Sequence, residues 1–260
     1  GEGVVHVYRA ENEDLTEWKS LGVLFQHPDA SVKNVECPLF FPLENRWVLI
    51  ISQGRPVDWF VGDLDQKTMR FTPTARGKLD LGELYAPNVL MNDPKGRRIL
   101  WGWANGFPAG RGWRHSLTLP RVLSIGADGT LRQAPAPELE ALRGSFDGQE
   151  PHGQALELSA RIPSGGVELL RGKDGQNGVR VSYDGQTLDV AGLRIPLKTD
   201  GPLDLRIFLD HSLLEVYAND GRVCVTRVVG ARDRGDGIQW FGDDVKVEGA
   251  WPIGPIWKKP

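Results

Sequence analysis

The sequence repeats one pattern of short apolar segments at a spacing of about 50 residues. The first copy opens with ECP at 36–38 and the second with YAP at 85–87, and three further segments follow each opening. Segments of about 4–8 residues that are bounded by Gly, Pro, Asn or Asp indicate β-strands. A repeated unit of four such strands is typical of the blades of a β-propeller.

The rest of the chain follows the same strand pattern. Alternating apolar segments begin at 4–10 and recur towards the C-terminus, as in LDLRIFLD at 203–210 and LLEVYAN at 213–219. Turn sequences such as SYDGQ and ANDGR separate the later segments. Many short strands with turns of this kind are typical of a β-sandwich. The sequence therefore predicts an all-β protein in which a partial propeller is followed by a sandwich.

One segment departs from the strand pattern. PELEALRG at 137–144 has Pro at its start and Gly at its end, which predicts a helix. The composition changes directly after this helix, so we place a domain boundary near residue 147. The predicted domains are a propeller-type domain at 1–146 and a β-sandwich domain at 147–260.

The charge balance argues against several classes of partner. The net charge is −3, and the Lys and Arg residues are scattered and form no basic stripe with aromatic residues. Nucleic acid and anionic membranes are therefore not expected as partners. The nine Trp residues suit the apolar faces of sugar rings, although core packing accounts for them equally well. The five His residues show no metal-ligand spacing, so neither a metal nor another cofactor is predicted.

The cellular location stays open. Cys37 and Cys224 follow no disulfide or metal spacing, and the sequence has no signal-peptide pattern and no apolar run of 18 residues. Both a cytoplasmic and a secreted protein fit these observations. The chain opens with Gly1 rather than Met, so we expect the natural N-terminus to lie upstream.

A single carboxylate stands at the start of the first repeat. Glu36 precedes an apolar strand, and Cys37 and Pro38 follow it directly. Because burying an unpaired carboxylate costs several kcal/mol, Glu36 is either turned to solvent or has a function.

Several segments, in the same order, are similar to those of one enzyme family. They are WKSLGVL (18–24), NVECPLFF (34–41), LYAPNVL with GRRILWGW (84–103), LTLPRVLS with LRQAPAPELEALR (117–143), and LRIFLDHSLLEVYANDGR (205–222). On these motifs the chain resembles glycoside hydrolase family 32, the invertase, levanase and inulinase group. The resemblance implies a five-bladed propeller joined to a β-sandwich, and cleavage of β-fructosidic bonds with retention of configuration.

The same resemblance assigns site residues. It places Glu36 at the position of the general acid/base, which protonates the leaving oxygen while a second carboxylate about 5–5.5 Å away attacks the anomeric carbon. The residues implied to bind the sugar are Cys37, Tyr85, Trp103, Asn105 and Trp113. Core packing remains open for Tyr85 and is the commoner role of Trp in a blade. Strand alternation turns Cys37 to the face opposite Glu36, which predicts a buried thiol.

The chain also departs from the family pattern. In the family, the motifs that carry the nucleophile and a fructose-binding Asp precede the ECP motif, but here only 35 residues precede Glu36. We therefore expect about two and a half blades in this chain and find no nucleophile motif in its place. Asp93, in MNDPKG at 91–96, is a weak candidate, because Asp, Pro and Gly at these spacings predict a type I turn.

Two functions remain in view. The first is a β-fructosidase acting on sucrose, levan or inulin, with the nucleophile on another segment or another chain. The second is a non-catalytic carbohydrate-binding or assembly module derived from that family.

An incomplete propeller has open strand edges, so we expect a homo-oligomer. Three acidic residues of the predicted 57–65 strand, Asp58, Asp63 and Asp65, are expected to be solvated charges at a sheet edge.

Overall fold

The computed structural model describes residues 2–110, 112–175, 178–230 and 235–257. Its N-terminal part contains three antiparallel sheets. The first pairs β1 (Val4–Ala10) with β2 (Trp18–Gln26). The second is a four-stranded meander of β3 (Glu36–Leu43), β4 (Arg46–Ser52), β5 (Asp58–Asp65) and β6 (Arg70–Lys78).

The third sheet repeats this meander. Its strands are β7 (Leu84–Leu90), β8 (Ile99–Ala104), β9 (Ser116–Leu117), β10 (Arg121–Ile125) and β11 (Leu131–Pro135). The order is β11-β10-β8-β7, and the two-residue strand β9 also pairs with β8. Pro120 stands between β9 and β10, so the apolar segment LTLPRVLS is divided between two strands.

The predicted helix is a 3-10 helix at Pro137–Leu142, with Pro in its first turn as expected. The sandwich that follows has ten strands among the described residues. They are β12 (Ala155–Ile162), β13 (Gly165–Arg171), β14 (Val179–Tyr183), β15 (Thr187–Val190), β16 (Leu193–Pro196), β17 (Leu203–Asp210), β18 (Leu213–Ala218), β19 (Val223–Val228), β20 (Gly237–Phe241) and β21 (Lys246–Pro252).

The sandwich strands form two five-stranded sheets, in the orders β19-β18-β17-β12-β21 and β16-β15-β14-β13-β20. The inner faces of the two sheets share one apolar core, in which Val181, Ile207 and Val216 are almost fully buried. A separate core, with Ile50, Val61 and Leu100, packs between the second and third sheets of the N-terminal part. No helix in the described residues has the length and apolar character needed to cross a membrane.

The second and third sheets share a β-bulge at the start of their first strands. In β3 the pairing register shifts between Glu36 and Leu39, and in β7 it shifts between Tyr85 and Asn88. The residue that follows the first residue of each bulge has a positive φ, 48° for Cys37 and 41° for Ala86. A bulge inserts an unpaired residue and interrupts the alternation of side chains. The prediction of a buried Cys37 is therefore wrong, and its thiol is exposed.

A second prediction is wrong for one of the three aspartates of β5. Asp63 and Asp65 are exposed as expected, but Asp58 is buried. Its carboxylate accepts hydrogen bonds from the side chains of Gln53 and Lys78, and His27 Nε2 lies 3.4 Å from it. Donors from three other segments surround Asp58, and they offset the cost of its burial.

A buried ionic network joins the two domains. Arg121, on β10, is fully buried and donates to Asp80 (3.0 Å), Gln133 (3.1 Å), Glu215 (2.7 Å) and Thr226 (2.8 Å). Glu215 and Thr226 belong to the sandwich, whereas the other partners belong to the N-terminal sheets. Buried charges are stable only when they are paired and hydrogen-bonded, so this network requires that both domains be in place.

Arg121→Met is expected to lower the free energy of unfolding by roughly 3–5 kcal/mol, because two buried carboxylates lose their counter-ion. Urea denaturation measures this change. Arg161→Met is the matched control, since Arg161 forms an exposed ion pair with Asp204. That change should cost about 0–1 kcal/mol. Equal costs for the two variants would contradict the role assigned to the network.

Candidate active site

Glu36 is the first residue of β3 and pairs with Ser52, the last residue of β4. Its side chain is exposed to solvent. The bulge that follows Glu36 frees this end of β3 from regular pairing. Residues in rarely occupied backbone conformations cluster at functional sites, and Cys37, with its positive φ, directly follows Glu36.

Two neighbours hold the carboxylate of Glu36. Asn34 Nδ2 donates to Oε1 at 2.8 Å, and the hydroxyl of Tyr85 donates to Oε2 at 2.8 Å. Asn34 lies two residues before Glu36, whereas Tyr85 lies at the matching bulge of the next sheet. The repeated bulge thus brings the first residues of the two motifs, ECP and YAP, into contact.

Tyr85 is half-buried, and its contact with Glu36 affects the pKa of its phenol. Burial, and after it the hydrogen bond to Glu36 and the charge of Glu36, raise the pKa of Tyr85 to about 12. The hydroxyl therefore stays protonated at neutral pH and remains a hydrogen-bond donor to Glu36. A fixed donor of this kind orients the carboxylate and does not itself exchange protons near pH 7.

Aromatic side chains continue the surface beside Tyr85. Trp103, on β8, pairs directly with Tyr85, so both side chains lie on the same face of the sheet. Trp103 is 39% exposed, and its ring meets the ring of His115 edge-on at 4.9 Å. An exposed indole beside Tyr85 is suited to packing against a sugar ring.

The other predicted sugar-binding residues are placed as follows. Trp113 is exposed, and its ring packs against Phe107 at 5.3 Å. Asn105 is half-buried, and its side-chain oxygen Oδ1 has no hydrogen-bond partner among the described residues. Cys37 offers an exposed free thiol next to Glu36. The structure brings Glu36 and Tyr85 into contact and places Trp103 opposite Tyr85.

Asp93 lies in the predicted turn between β7 and β8. The N–H of Gly96 donates to the carbonyl of Asp93 at 2.8 Å, which closes the turn. The Asp93 carboxylate accepts from Arg97 Nε at 2.9 Å, and this bond is the main reason why the pKa of Asp93 is lowered. The carboxylate is thus engaged in holding the hairpin.

Sequence reasoning missed two features of this region. Asn34 lies two residues before Glu36, so strand alternation could have placed both side chains on one face. The burial of Asp58 could not be predicted from neighbouring residues, because its hydrogen-bond partners come from three other segments. No group of three or more His, Cys, Asp or Glu residues in the described ranges could hold a metal ion.

Comparison with known families decides the classification. The model of the glycosyl hydrolases family 32 N-terminal domain matches residues 1–135, and that of the family 32 C-terminal domain matches residues 164–251. The chain belongs to glycoside hydrolase family 32. The resemblance seen in the sequence motifs is therefore confirmed.

Individual members of family 32 are similar over most of this chain. A sucrose-6-phosphate hydrolase from Klebsiella pneumoniae is 33% identical over 246 residues, which cover 80% of this chain and 51% of that protein. A levanase from Bacillus sp. (strain L7) is 27% identical and matches 82% of this chain and 30% of the levanase. The chain spans about half the length of the sucrose-6-phosphate hydrolases it matches.

A solved family 32 structure has the same fold. Sucrose-6-phosphate hydrolase from Lactobacillus gasseri superimposes with a TM-score of 0.81 at 25% identity, covering 97% of this chain and 61% of that protein. The prediction of an all-β protein with a propeller-type part followed by a sandwich is confirmed by this similarity.

The Tyr85 phenol is expected to titrate near pH 12. Because its pKa is higher in the folded state than in the unfolded chain, it contributes stability that is complete below about pH 10 and is lost as the pH rises towards 12. The phenolate absorbance of the wild type minus that of Tyr85→Phe measures the midpoint. Tyr8→Phe, which removes an exposed phenol on β1, should leave this transition unchanged, and a midpoint near 10 for Tyr85 would contradict the account.

Proposed function

We propose that this chain supplies the acid/base part of a β-fructosidase site, with Glu36 as the general acid/base. The observation that carries the proposal is the Glu36 carboxylate held by Tyr85 and Asn34 at matching bulges of a family 32 fold. Glu36 donates a proton to the glycosidic oxygen as the bond to the anomeric carbon breaks. It then takes a proton from the water that releases fructose from the second carboxylate.

The substrate we propose is a fructose-containing sugar of the sucrose, levan or inulin type. The names of the similar proteins, sucrose-6-phosphate hydrolase and levanase, support this class. Trp103 offers an apolar surface beside Tyr85, whose hydroxyl contacts Glu36. With a net charge of −3, the chain is expected to bind neither nucleic acid nor membranes.

We further propose that residues 1–146 form half a blade and two complete blades of a five-bladed propeller, and that residues 147–260 form the sandwich. The two-stranded sheet and the two matching meanders support this division. Asp93, the weak nucleophile candidate, is held by Arg97 in the turn between β7 and β8. We therefore propose that the nucleophile lies outside the 260 residues. Neither Asp93 nor Cys37 is assigned a chemical step.

A non-catalytic binding or assembly module is the second candidate. The engagement of Asp93 by Arg97, which leaves this chain without an assigned nucleophile, favours it. Under both candidates the incomplete propeller part leaves strand edges unpaired, and we propose that the isolated chain forms homo-oligomers. The exposed Tyr8 and Trp18 on the β1–β2 sheet support this, since apolar surface at an open sheet promotes association.

Residues 1–260 alone are expected to release fructose from sucrose or short fructans very slowly or not at all, because loss of either carboxylate removes most of the rate. Fructose release is measured for the wild type, Glu36→Gln and Asp93→Asn, and light scattering of the same samples gives the oligomeric state. Glu138→Gln is the matched control for Asp93→Asn, since Glu138 is the other carboxylate that accepts from Arg97.

Clear activity that both Glu36→Gln and Asp93→Asn abolish, with Glu138→Gln active, would overturn our placement of the nucleophile. Clear activity that Glu36→Gln leaves intact would overturn the proposed role of Glu36. A monomer over the whole concentration range would exclude the homo-oligomer.

A further inference from the structure

We propose that the outer face of one sandwich sheet binds a neutral oligosaccharide in a groove distinct from the site at Glu36. The sheet is the one with the order β16-β15-β14-β13-β20. The choice of a fructan as the ligand rests on the proposed function, whereas the groove itself rests on the structure of this face.

Among the described residues, one face of this sheet packs into the sandwich core. On β14, Val179 and Val181 point into the sandwich core, whereas Arg180 and Ser182 point outwards. The neighbouring strands alternate in the same way, since Leu188 is buried and Asp189 is partly exposed. The outward residues are mostly polar, and the face is therefore suited to a polar ligand.

A row of side chains crosses the sheet from edge to edge. The pairing register joins Phe241 to Gly166, Gly166 to Ser182, Ser182 to Asp189, and Asp189 to Arg194. Residues that pair directly project on the same side of a sheet. A groove of about 620 Å³ lies over this row and is lined by Ser182, Asp189, Arg194 and Phe241, among others.

Gly166 lets the ring of Phe241 pack against the sheet. A Cβ atom at this position would lie 2.1 Å from the carbonyl oxygen of Val181 and 3.0 Å from Cζ of Phe241. Gly166 is buried, and no side chain fits there without displacing backbone, so the ring lies close over this position. The aromatic ring forms the wall at one end of the groove.

Two guanidinium groups supply hydrogen-bond donors. Arg180 stacks on Phe241, with its Cζ 4.1 Å from the ring centroid, and Arg194 lies at the far end of the row. Both arginines are exposed and line the groove, so their N–H groups can reach a ligand there.

Carboxylates in the same groove supply acceptors. Asp189 uses Oδ1 to accept the N–H of Gly192 at 2.9 Å, and Asp184 accepts the N–H groups of Gln186 and Thr187. Each carboxylate has acceptor capacity beyond these bonds, since an ionised carboxylate offers about four lone-pair sites. Donors and acceptors thus alternate along one groove.

This mixture favours a neutral polyhydroxylated ligand. A hydroxyl group both donates and accepts, so it satisfies arginine and aspartate side by side. A polyanion would face the carboxylates, and a polycation would face the arginines. Neighbouring strands lie about 4.8 Å apart, so a chain of sugar units that crosses the sheet meets successive residues of the row. The ring edge of Phe241 adds apolar contact for a sugar at one end.

Calorimetric titration of residues 1–260 with an inulin-type oligosaccharide tests the groove. Arg194→Ala removes a donor at an exposed position, and Ser182→Trp fills the groove from the middle of the row. Each change should weaken binding by roughly tenfold or more. Asp200→Ala should bind like the wild type, since Asp200 lies on an exposed bend outside the groove. Circular dichroism checks that each variant is folded.

Wild-type affinity in both groove variants would overturn the proposal, as would an equal loss in Asp200→Ala. Tighter binding of a sulfated polysaccharide than of the oligosaccharide would overturn the choice of a neutral ligand. A smaller oligomer in Ser182→Trp, without any sugar binding by the wild type, would make the groove an interface between copies of the chain. Binding that depends on the groove, together with clear fructosidase activity that Glu36→Gln leaves intact, would leave this inference standing and the proposed function refuted.

Discussion

The arrangement of the two domains depends on the buried ion pairs of Arg121. This arginine is a fully buried cation that neutralises Asp80 from the N-terminal part and Glu215 from the sandwich. The hydroxyl of Tyr217 also donates to the Glu215 carboxylate, so this carboxylate has a second donor from within the sandwich. Because one cation pairs with carboxylates from both domains, separating the domains would leave these buried charges unpaired or expose them to solvent. The sandwich is therefore a structural requirement of the N-terminal sheets and not an independent appendage.

The same network positions the candidate site. Arg121 lies on β10, in the sheet whose strand β7 begins near Tyr85. Holding this sheet against the sandwich fixes Tyr85, and the matching bulge in β3 presents Glu36 to its hydroxyl at 2.8 Å. The geometry of the site thus follows from two repeated backbone irregularities and one buried ion cluster. Both bulges place a residue other than glycine at positive φ, which is a cost that a site under functional constraint can sustain.

Much of this could be predicted from local patterns. Alternating apolar segments predict the strands, and the spacing between ECP and YAP predicts the repeat. Asp93, Pro94 and Gly96 predict the turn between β7 and β8. The exposure of Cys37 was not predictable by alternation, because a bulge inserts one residue and breaks the period. The burial of Asp58 and the Arg121 network depend on side chains that are distant in sequence, and short-range patterns carry no signal for them.

The central claim is that Glu36, held by Tyr85 and Asn34, faces the leaving oxygen of a bound fructoside. A crystal structure of residues 1–260 with fructose at high concentration tests it most directly. We predict fructose beside Trp103, with its anomeric hydroxyl oxygen about 2.6–3.2 Å from the Glu36 carboxylate. Fructose bound with that oxygen turned away from Glu36, or a site in which Glu36 contacts only Asn34 and Tyr85 while the sugar lies elsewhere, would contradict the account.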